Sequence, residues 1–330
     1  MKMHLTQSIA CFTLIVISGL MIFGCSSSNS PGSPDPQEAR AETLRVSCTS
    51  NIVKDLVQQI GGEHVSITAI MDGPAVDPHL YTPSPKDINV LTESDVVVYS
   101  GLHLEAQLEE ALESLKNRGI PIIKVTAVLE TDFSDRLIRA DGAVDPHVWF
   151  DLELWGKCGS WLAEQLAKVD SHHAEDYRAA AVRFEQLMKT TREDGEAALS
   201  GLPVDRRILV TAHDAFQYFA RVFEFRVEAV QGLSTESEPG LKRIDELSTL
   251  LAEMKISAIF TEQSVSERNI EALISECRSR GHQLAVGGKL YSDTAGPAGT
   301  SAETLAGTVM HNIREIARGL GTEPSGQETP

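Results

Sequence analysis

Two short phrases of the sequence share the same order of residue types. Asp77-Pro78-His79-Leu80-Tyr81 and Asp145-Pro146-His147-Val148-Trp149 both read Asp, Pro, His, aliphatic, aromatic. Each phrase is expected after a strand and a Gly-bearing turn, so each His lies on a loop whose backbone Pro restricts. A lone loop His is more often a hydrogen-bonded structural residue than a ligand. Two in one local frame favour a shared role in binding a transition metal.

Two further residues lie just beyond strands predicted in the second half of the chain. His213 follows the predicted strand 208–211, at the kind of carboxyl end where open α/β sheets gather ligands. Asp293 follows the predicted strand 283–286, although a loop Asp alone is usually a turn former. Together, three imidazoles and one carboxylate suit Zn²⁺ and tolerate Mn²⁺ or Fe²⁺, whereas Ca²⁺ and Mg²⁺ call for oxygen ligands.

Acidic residues near these phrases are candidates for orienting the ligating histidines. A ligating imidazole normally donates its second N–H to a carboxylate or carbonyl, which fixes the tautomer of the ring. Four acidic residues are available for this role, and the sequence does not say which of them serve: Asp77, Asp145, Asp151 and Glu262. We expect Asp214 to cap the helix after His213, and His103 to pack without ligating.

Three other functions compete with simple metal capture. A zinc hydrolase would use three protein ligands and leave a fourth position open to water, so the role of Asp293 separates it from a carrier. HExxH, GxSxG and GxxxxGK[ST] motifs are absent from the sequence. A cleft for a vitamin or a chelated metal would need aromatic side chains, which make up only 5% of the chain. An adhesin-type lipoprotein would share the N-terminal features described below.

The spacing of apolar residues predicts the elements that position these side chains. Short β-branched runs alternate with amphipathic stretches, a pattern typical of parallel α/β sheets. The segment from His172 to Leu199 is nearly free of Gly and Pro and has helical periodicity, which predicts one helix of roughly 40 Å. Such a helix would make a stiff connection between two lobes. The predicted strands are 44–48, 65–70, 96–100, 120–125, 208–211, 227–230, 258–260 and 283–286.

Both ends of the chain differ from the centre. Lys2 and the apolar run 9–23 form a secretory signal, and 22–25 reads Ile-Phe-Gly-Cys, which resembles a bacterial lipobox. We therefore predict a signal peptide over 1–24, a lipidated Cys25 and export to the periplasm or cell surface. Residues 26–42 are rich in Ser, Pro and charge, which predicts a flexible tether, and 321–330 reads as a tail.

The remaining cysteines have apolar neighbours and are predicted to be buried thiols: Cys48, Cys158 and Cys277.

The size and charge of the chain limit its partners. A length of 330 residues allows two domains, each with its own core. The formal net charge of −18 argues against nucleic acid, because phosphate backbones select basic clusters. We expect a monomer.

In combination, the motifs resemble those of the solute-binding lipoproteins of zinc and manganese ABC importers, the ZnuA/TroA-like type. The resemblance covers about residues 44–320. Besides the two Asp-Pro-His phrases, the similar segments are 51–56, 82–87, 101–105, 211–216, 231–236, 260–262 and 290–293.

This resemblance implies a fold, a site and a partner. The fold is α/β, with parallel-sheet lobes over 43–170 and 203–320 that a long rigid helix over 171–202 bridges. The four ligand positions of the family fall on His79, His147, His213 and Asp293, in the cleft between the lobes. The expected partner is an ABC transporter permease, and the expected cargo is Zn²⁺ or Mn²⁺.

Two features bear on which metal is carried. Many zinc-dedicated members of this family have a His-rich loop before the second ligand. The equivalent region here, residues 130–145, contains no His. Many manganese-directed members have Glu at the third ligand position, where this chain has His213. These two features point in opposite directions, so the resemblance leaves the choice between zinc and manganese open.

Overall fold

Helices and strands alternate along the chain, as the apolar pattern predicts. The computed structural model describes residues 43–140 and 142–321. The ten strands within these ranges are β1 (Leu44–Ser50), β2 (Val65–Met71), β3 (Val96–Tyr99), β4 (Ile122–Lys124), β5 (Arg139–Ala140), β6 (Ala143–Val144), β7 (Ile208–Thr211), β8 (Arg226–Ala229), β9 (Ala258–Glu262) and β10 (Ala285–Leu290).

The helices follow the same alternation. They are α1 (Asn51–Gly61), α2 (Pro85–Thr92), α3 (Glu109–Asn117), α4 (Ala127–Asp132), α5 (Leu152–Val169), α6 (Ala174–Ala198), α7 (Gln217–Phe223), α8 (Leu241–Glu253), α9 (Arg268–Ser279) and α10 (Leu305–Gly319). Side chains of Ser50, Ser84, Asp151 and Thr304 accept hydrogen bonds from backbone N–H groups of the first turns of α1, α2, α5 and α10. These caps explain where those helices begin.

The strands form parallel sheets in each half of the chain. Strands β2, β1, β3 and β4 lie in that order in one sheet, and every pair is parallel. In the second half, β7 pairs with β8 and β9 with β10, again in parallel, while β7 and β9 lie side by side. The predicted α/β fold with two parallel-sheet halves is therefore confirmed.

Helix α6 connects the two halves over 25 residues, or roughly 37 Å. Its apolar face contributes Phe184 and Met188 to a core that extends from β1 and α1 through α5 to α7 and α10. Two smaller clusters lie in one half each. Because one core contains side chains from both halves, the helix is packed along its length and does not act as a loose hinge.

Some predicted boundaries were wrong. The apolar spacing over residues 104–115 predicts a helix, but α3 begins at Glu109, after a loop in which Gly101, Leu102 and His103 have φ values of 95°, 54° and 63°. Three successive residues in the left-handed region turn the chain away from a helical path. The strand before His147 is the two-residue β6, which pairs antiparallel with β5 and belongs to neither sheet.

The three cysteines of the described region are buried, as predicted. Cys48 and Cys158 lie in the shared core and Cys277 in the cluster of the second half. Burial raises the pKa of each thiol, so these side chains behave as small apolar groups. Within the described residues, no helix is both long enough and apolar enough to cross a bilayer.

A glycine in α5 tests how tightly α6 is packed. A Cβ added at Gly159 would lie 2.6 Å from Phe184 Cδ1, so Gly159→Ala should destabilise the protein by about 1–3 kcal/mol. Gly156 is the matched control in the same helix, because a Cβ there would lie 3.4 Å from its nearest neighbour. Gly156→Ala should be neutral or stabilising by up to about 1 kcal/mol. Denaturant unfolding measures both, and equal effects would contradict this close packing.

Candidate metal centre

The four residues singled out by the sequence lie together. One donor atom from each of His79, His147, His213 and Asp293 falls within 4.8 Å of the other three. Their loops follow β2, β6, β7 and β10 respectively. All four side chains are buried, and only His79 has measurable exposure, at 3%. The fold thus encloses three imidazoles and a carboxylate at the junction of its two halves.

Four of the six distances between donor atoms match the edges of a tetrahedral site. His147 Nε2 lies 3.4 Å from His79 Nε2 and 3.3 Å from His213 Nε2. Asp293 Oδ1 lies 3.2 Å from the Nε2 atoms of His147 and His213, and 3.9 Å from that of His79. A tetrahedron with metal–ligand bonds of about 2.1 Å has edges of about 3.4 Å. One small cation fits between these atoms, and an organic chelate does not.

Asp293 presents one oxygen to the histidines and anchors the other. Oδ2 accepts hydrogen bonds from the hydroxyls of Ser264, at 2.9 Å, and Ser292, at 3.3 Å. Within the described residues, no hydrogen bond of good geometry reaches the buried Oδ1, which faces the three Nε2 atoms. A buried oxygen without a hydrogen bond is costly, and a bound cation would remove that cost.

Two of the rings are fixed by carboxylates. His147 Nδ1 donates to Asp145 Oδ1 at 2.7 Å, and His213 Nδ1 donates to Glu262 Oε2 at 2.5 Å. The same two carboxylates accept the backbone N–H groups of the histidines, each at 2.9 Å. Both rings therefore expose Nε2 to the centre, in the tautomer that a metal ligand requires.

The first Asp-Pro-His phrase repeats only half of this arrangement. Asp77 Oδ1 accepts the backbone N–H of His79 at 2.9 Å, which is the same turn as at Asp145 and His147. Within the described part of the chain, no hydrogen bond reaches His79 Nδ1. The shared local frame that the sequence predicts is present, but only the second phrase orients its ring through Asp.

The buried charges shift the pKa values in opposite directions. Burial lowers the pKa of His79 to about 3. Burial alone would also lower the pKa of His147, but the charges of Asp145 and Asp293 outweigh it and raise the pKa to about 9. The charges of Asp293 and Glu262 likewise raise the pKa of His213. Burial opposes ionisation of Asp293, yet the surrounding imidazoles hold its pKa well below the usual range. A cation that binds here must displace protons from the rings.

One candidate for orienting a histidine does not fill that role, and two predictions for neighbouring residues were wrong. Asp151 does not orient a histidine, because its carboxylate caps α5 and forms ion pairs with Arg136 and Arg221. Asp214 does not cap α7, which has no side-chain cap, and instead accepts a hydrogen bond from Gln217. His103 does not pack, because its side chain is 81% exposed beside Glu109.

Two aromatic residues support the site through long-range contacts that the sequence does not indicate, although Trp149 belongs to the second Asp-Pro-His phrase. Trp149 Nε1 donates to the carbonyl of Ser292, next to Asp293, at 3.0 Å. The Tyr218 hydroxyl donates to the carbonyl of Asp145 at 3.2 Å and accepts the N–H of Ile138 at 3.0 Å. These contacts join the second half of the chain to the loop of His147, across separations of 73 to 143 residues.

The chain is similar to known metal-binding proteins. Residues 46–319 match the family described as ZnuA, zinc-uptake complex component A, periplasmic. The chain is 37% identical over 308 residues to the manganese-binding lipoprotein MntA of Bacillus subtilis, covering 93% of this chain and 97% of that protein. It is 38% identical over 273 residues to the zinc-binding protein TroA of Treponema pallidum, covering 82% and 87%. A solved structure of TroA aligns with a TM-score of 0.80 at 35% identity, covering 84% of this chain and 99% of that one.

The carboxylate behind His213 offers a test of the site. Glu262→Gln removes the charge that fixes the ring of His213, so affinity for Zn²⁺ should fall by about 10- to 100-fold. Calorimetric titration measures this fall.

Glu105→Gln is the matched control. Glu105 is a similarly buried carboxylate, but it bonds to Thr49 and to two backbone N–H groups, and no hydrogen bond joins it to a histidine of the described residues. If the two variants bind Zn²⁺ with the same affinity, Glu262 does not support the site.

Proposed function

The chain belongs to the ZnuA family, and from this membership we propose that it captures Zn²⁺ or Mn²⁺ outside the cytoplasm and delivers the ion to an ABC-type importer. The proposed ligands are His79, His147, His213 and Asp293. The observation that carries the proposal is the convergence of their four donor atoms, all buried, at separations that a tetrahedral cation requires.

A carrier explains this site better than a zinc hydrolase does. A hydrolytic zinc centre keeps one coordination position open for water. Here Asp293 Oδ1 faces the histidines as a fourth donor, and the enclosed side chains leave no room for a substrate. We therefore propose that the chain is not an enzyme, in line with the solute-binding family to which it belongs. A vitamin or an organic chelate would likewise need space that the ring separations do not leave.

The proposed cargo includes both metals, with a higher affinity for Zn²⁺. Three imidazoles and one carboxylate bind Zn²⁺ more tightly than Mn²⁺ on the Irving–Williams order. Affinity does not identify the cargo in the cell, and the two similar proteins named above bear the names of different metals. Competition between Zn²⁺ and Mn²⁺ for the purified protein tests the order directly.

We also propose an arrangement for the whole chain. Residues 1–24 would be the signal peptide and 25–42 a tether anchored through lipid on Cys25, with lobes over 43–170 and 203–320, the connecting helix over 171–202 and a tail over 321–330. Cys25, the tether and most of the tail lie outside the described residues. The protein would act as a monomer at the outer face of a bacterial membrane, beside its permease.

Asp293 decides between the carrier and the hydrolase. Asp293→Ala should weaken Zn²⁺ binding by more than the roughly 10- to 100-fold that is typical of losing an outer partner, because a ligand itself is removed. If Asp293 only formed a turn, the change would cost about 1 kcal/mol of stability and leave affinity intact. Calorimetric titration of both proteins separates these outcomes.

Melting curves provide the control for that titration. Zn²⁺ at a thousandfold excess over Kd should stabilise the wild-type protein by about 4 kcal/mol. A folded Asp293→Ala variant with unchanged affinity would bring the hydrolase back into contention.

The lipid anchor has its own test. Cys25→Ala removes the proposed site of lipid attachment, so the variant should remain unprocessed or appear in the soluble fraction. Cell fractionation and the mass of the mature protein measure both results. Cys48→Ala is a control, because that thiol is buried in the core and is not available to a lipid. A Cys25→Ala protein that is still processed and membrane-bound would show that another feature anchors the chain.

A further inference from the structure

The four proposed ligands are not held equally. The rings of His147 and His213 each donate to a buried carboxylate, and Asp293 receives two serine hydroxyls. The ring of His79 has no carboxylate or hydroxyl partner of this kind within the described residues, and its backbone N–H donates to Asp77. His79 is also the one ligand with any exposure. The least constrained ligand is therefore the one nearest to solvent.

The loops of the other three ligands are tied across the two halves of the protein. Tyr218 on α7, just after His213, donates to the carbonyl of Asp145 in the loop of His147. Arg221 on the same helix donates to the carboxylate of Asp151 and the carbonyl of Arg136. In the loop of Asp293, the carbonyl of Ser292 accepts a hydrogen bond from Trp149 Nε1. The Asn51 side chain both donates to and accepts from the backbone of Ala295 in the same loop. These three ligands form one rigid group.

The loop of His79 crosses between the halves with fewer ties. It runs from the end of β2 to the start of α2, over residues 72–84. Thr294 donates to the carbonyl of Pro74 near its beginning, at 2.7 Å. At the ligand itself, the cross-link is the Thr235 hydroxyl, which donates to Asp77 Oδ2 at 2.6 Å. The other oxygen of Asp77 holds the backbone of His79.

Thr235 lies in a segment suited to movement. The segment runs from Val230 to Gly240, between β8 and α8, and contains neither helix nor strand. Thr235 is nevertheless buried, with only 9% of its surface exposed, so its hydrogen bond to Asp77 is shielded from water. The only neighbouring cross-link in the described chain, from Gln107 to Glu236, is exposed. A shielded hydrogen bond to a carboxylate is stronger than an exposed one.

From this asymmetry we infer that the Thr235–Asp77 hydrogen bond is a latch that holds His79 over the metal, and that the ion leaves when this latch opens. The inference rests on the proposed function for its metal and adds the route and order of release. Thr235 is a positioning residue, because it acts on the ion only through Asp77 and His79. Opening the latch frees the loop 72–84, while the rigid group of three ligands stays in place.

The test compares two kinds of change at one position. Thr235→Val and Thr235→Ala remove the hydroxyl, while Thr235→Ser keeps it. Thr131→Val is the control, because its exposed hydroxyl bonds only to carbonyls within α4. Stopped-flow release of Zn²⁺ into an excess of chelator should be about tenfold faster in the Val and Ala variants, and unchanged in the Ser and Thr131→Val variants.

Hydrogen exchange of the metal-free protein tests the latch without any metal. Amides of residues 73–82 should lose about tenfold protection in Thr235→Val and Thr235→Ala, while α5 and α6 stay unchanged. Rates within twofold of wild type, or a Ser variant as fast as the Val variant, would overturn the latch. A wild-type protein that binds neither Zn²⁺ nor Mn²⁺ would instead refute the proposed function, and the exchange result would still decide the latch.

Discussion

The constraint on which this structure depends is the burial of Asp293 among three imidazoles. A carboxylate removed from water costs several kcal/mol unless positive charge and hydrogen bonds surround it. Oδ2 is satisfied by two serines, but Oδ1 is left to the histidines. The charge of Asp293, together with that of Asp145 behind His147 and Glu262 behind His213, raises the pKa of these two rings. The site is thus a balanced cluster of opposite charges, in which a divalent cation can take the place of protons.

Keeping this cluster intact requires that four loops from both halves of the chain keep their relative positions. The shared core supplies the larger part of that rigidity, because α6 packs along its length and belongs to the same cluster as α1 and α10. Hydrogen bonds add the finer adjustment, since Trp149 and Tyr218 each reach from one half to the loop of a ligand in the other. A wide hinge motion would break this core, so we expect changes of shape to be confined to the loops.

The sequence predicts what depends on local pattern. Both Asp-Pro-His turns are present because Asp and the residue two positions on are bonded within one turn, which a short phrase can encode. The α/β alternation and the connecting helix follow from periodicity in the same way. The sequence left Asp151 among four candidates because its actual partners, Arg136 and Arg221, come from elements that only the fold brings together. Thr235 lies in a segment that the family resemblance includes, yet its contact with Asp77 spans 158 residues and has no local signature.

The same asymmetry bears on how one site can accept ions of different size. His147 Nε2 lies 3.3 Å from His213 Nε2 and 3.2 Å from Asp293 Oδ1, and all three residues belong to the rigid group. The edge from Asp293 to His79 is longer, at 3.9 Å. A larger cation needs wider separations, and the fixed edges cannot widen without disturbing the core. The adjustment must therefore come from His79, whose ring has no carboxylate behind it, so one weakly held ligand would govern both the tolerance of the site and the release of its ion.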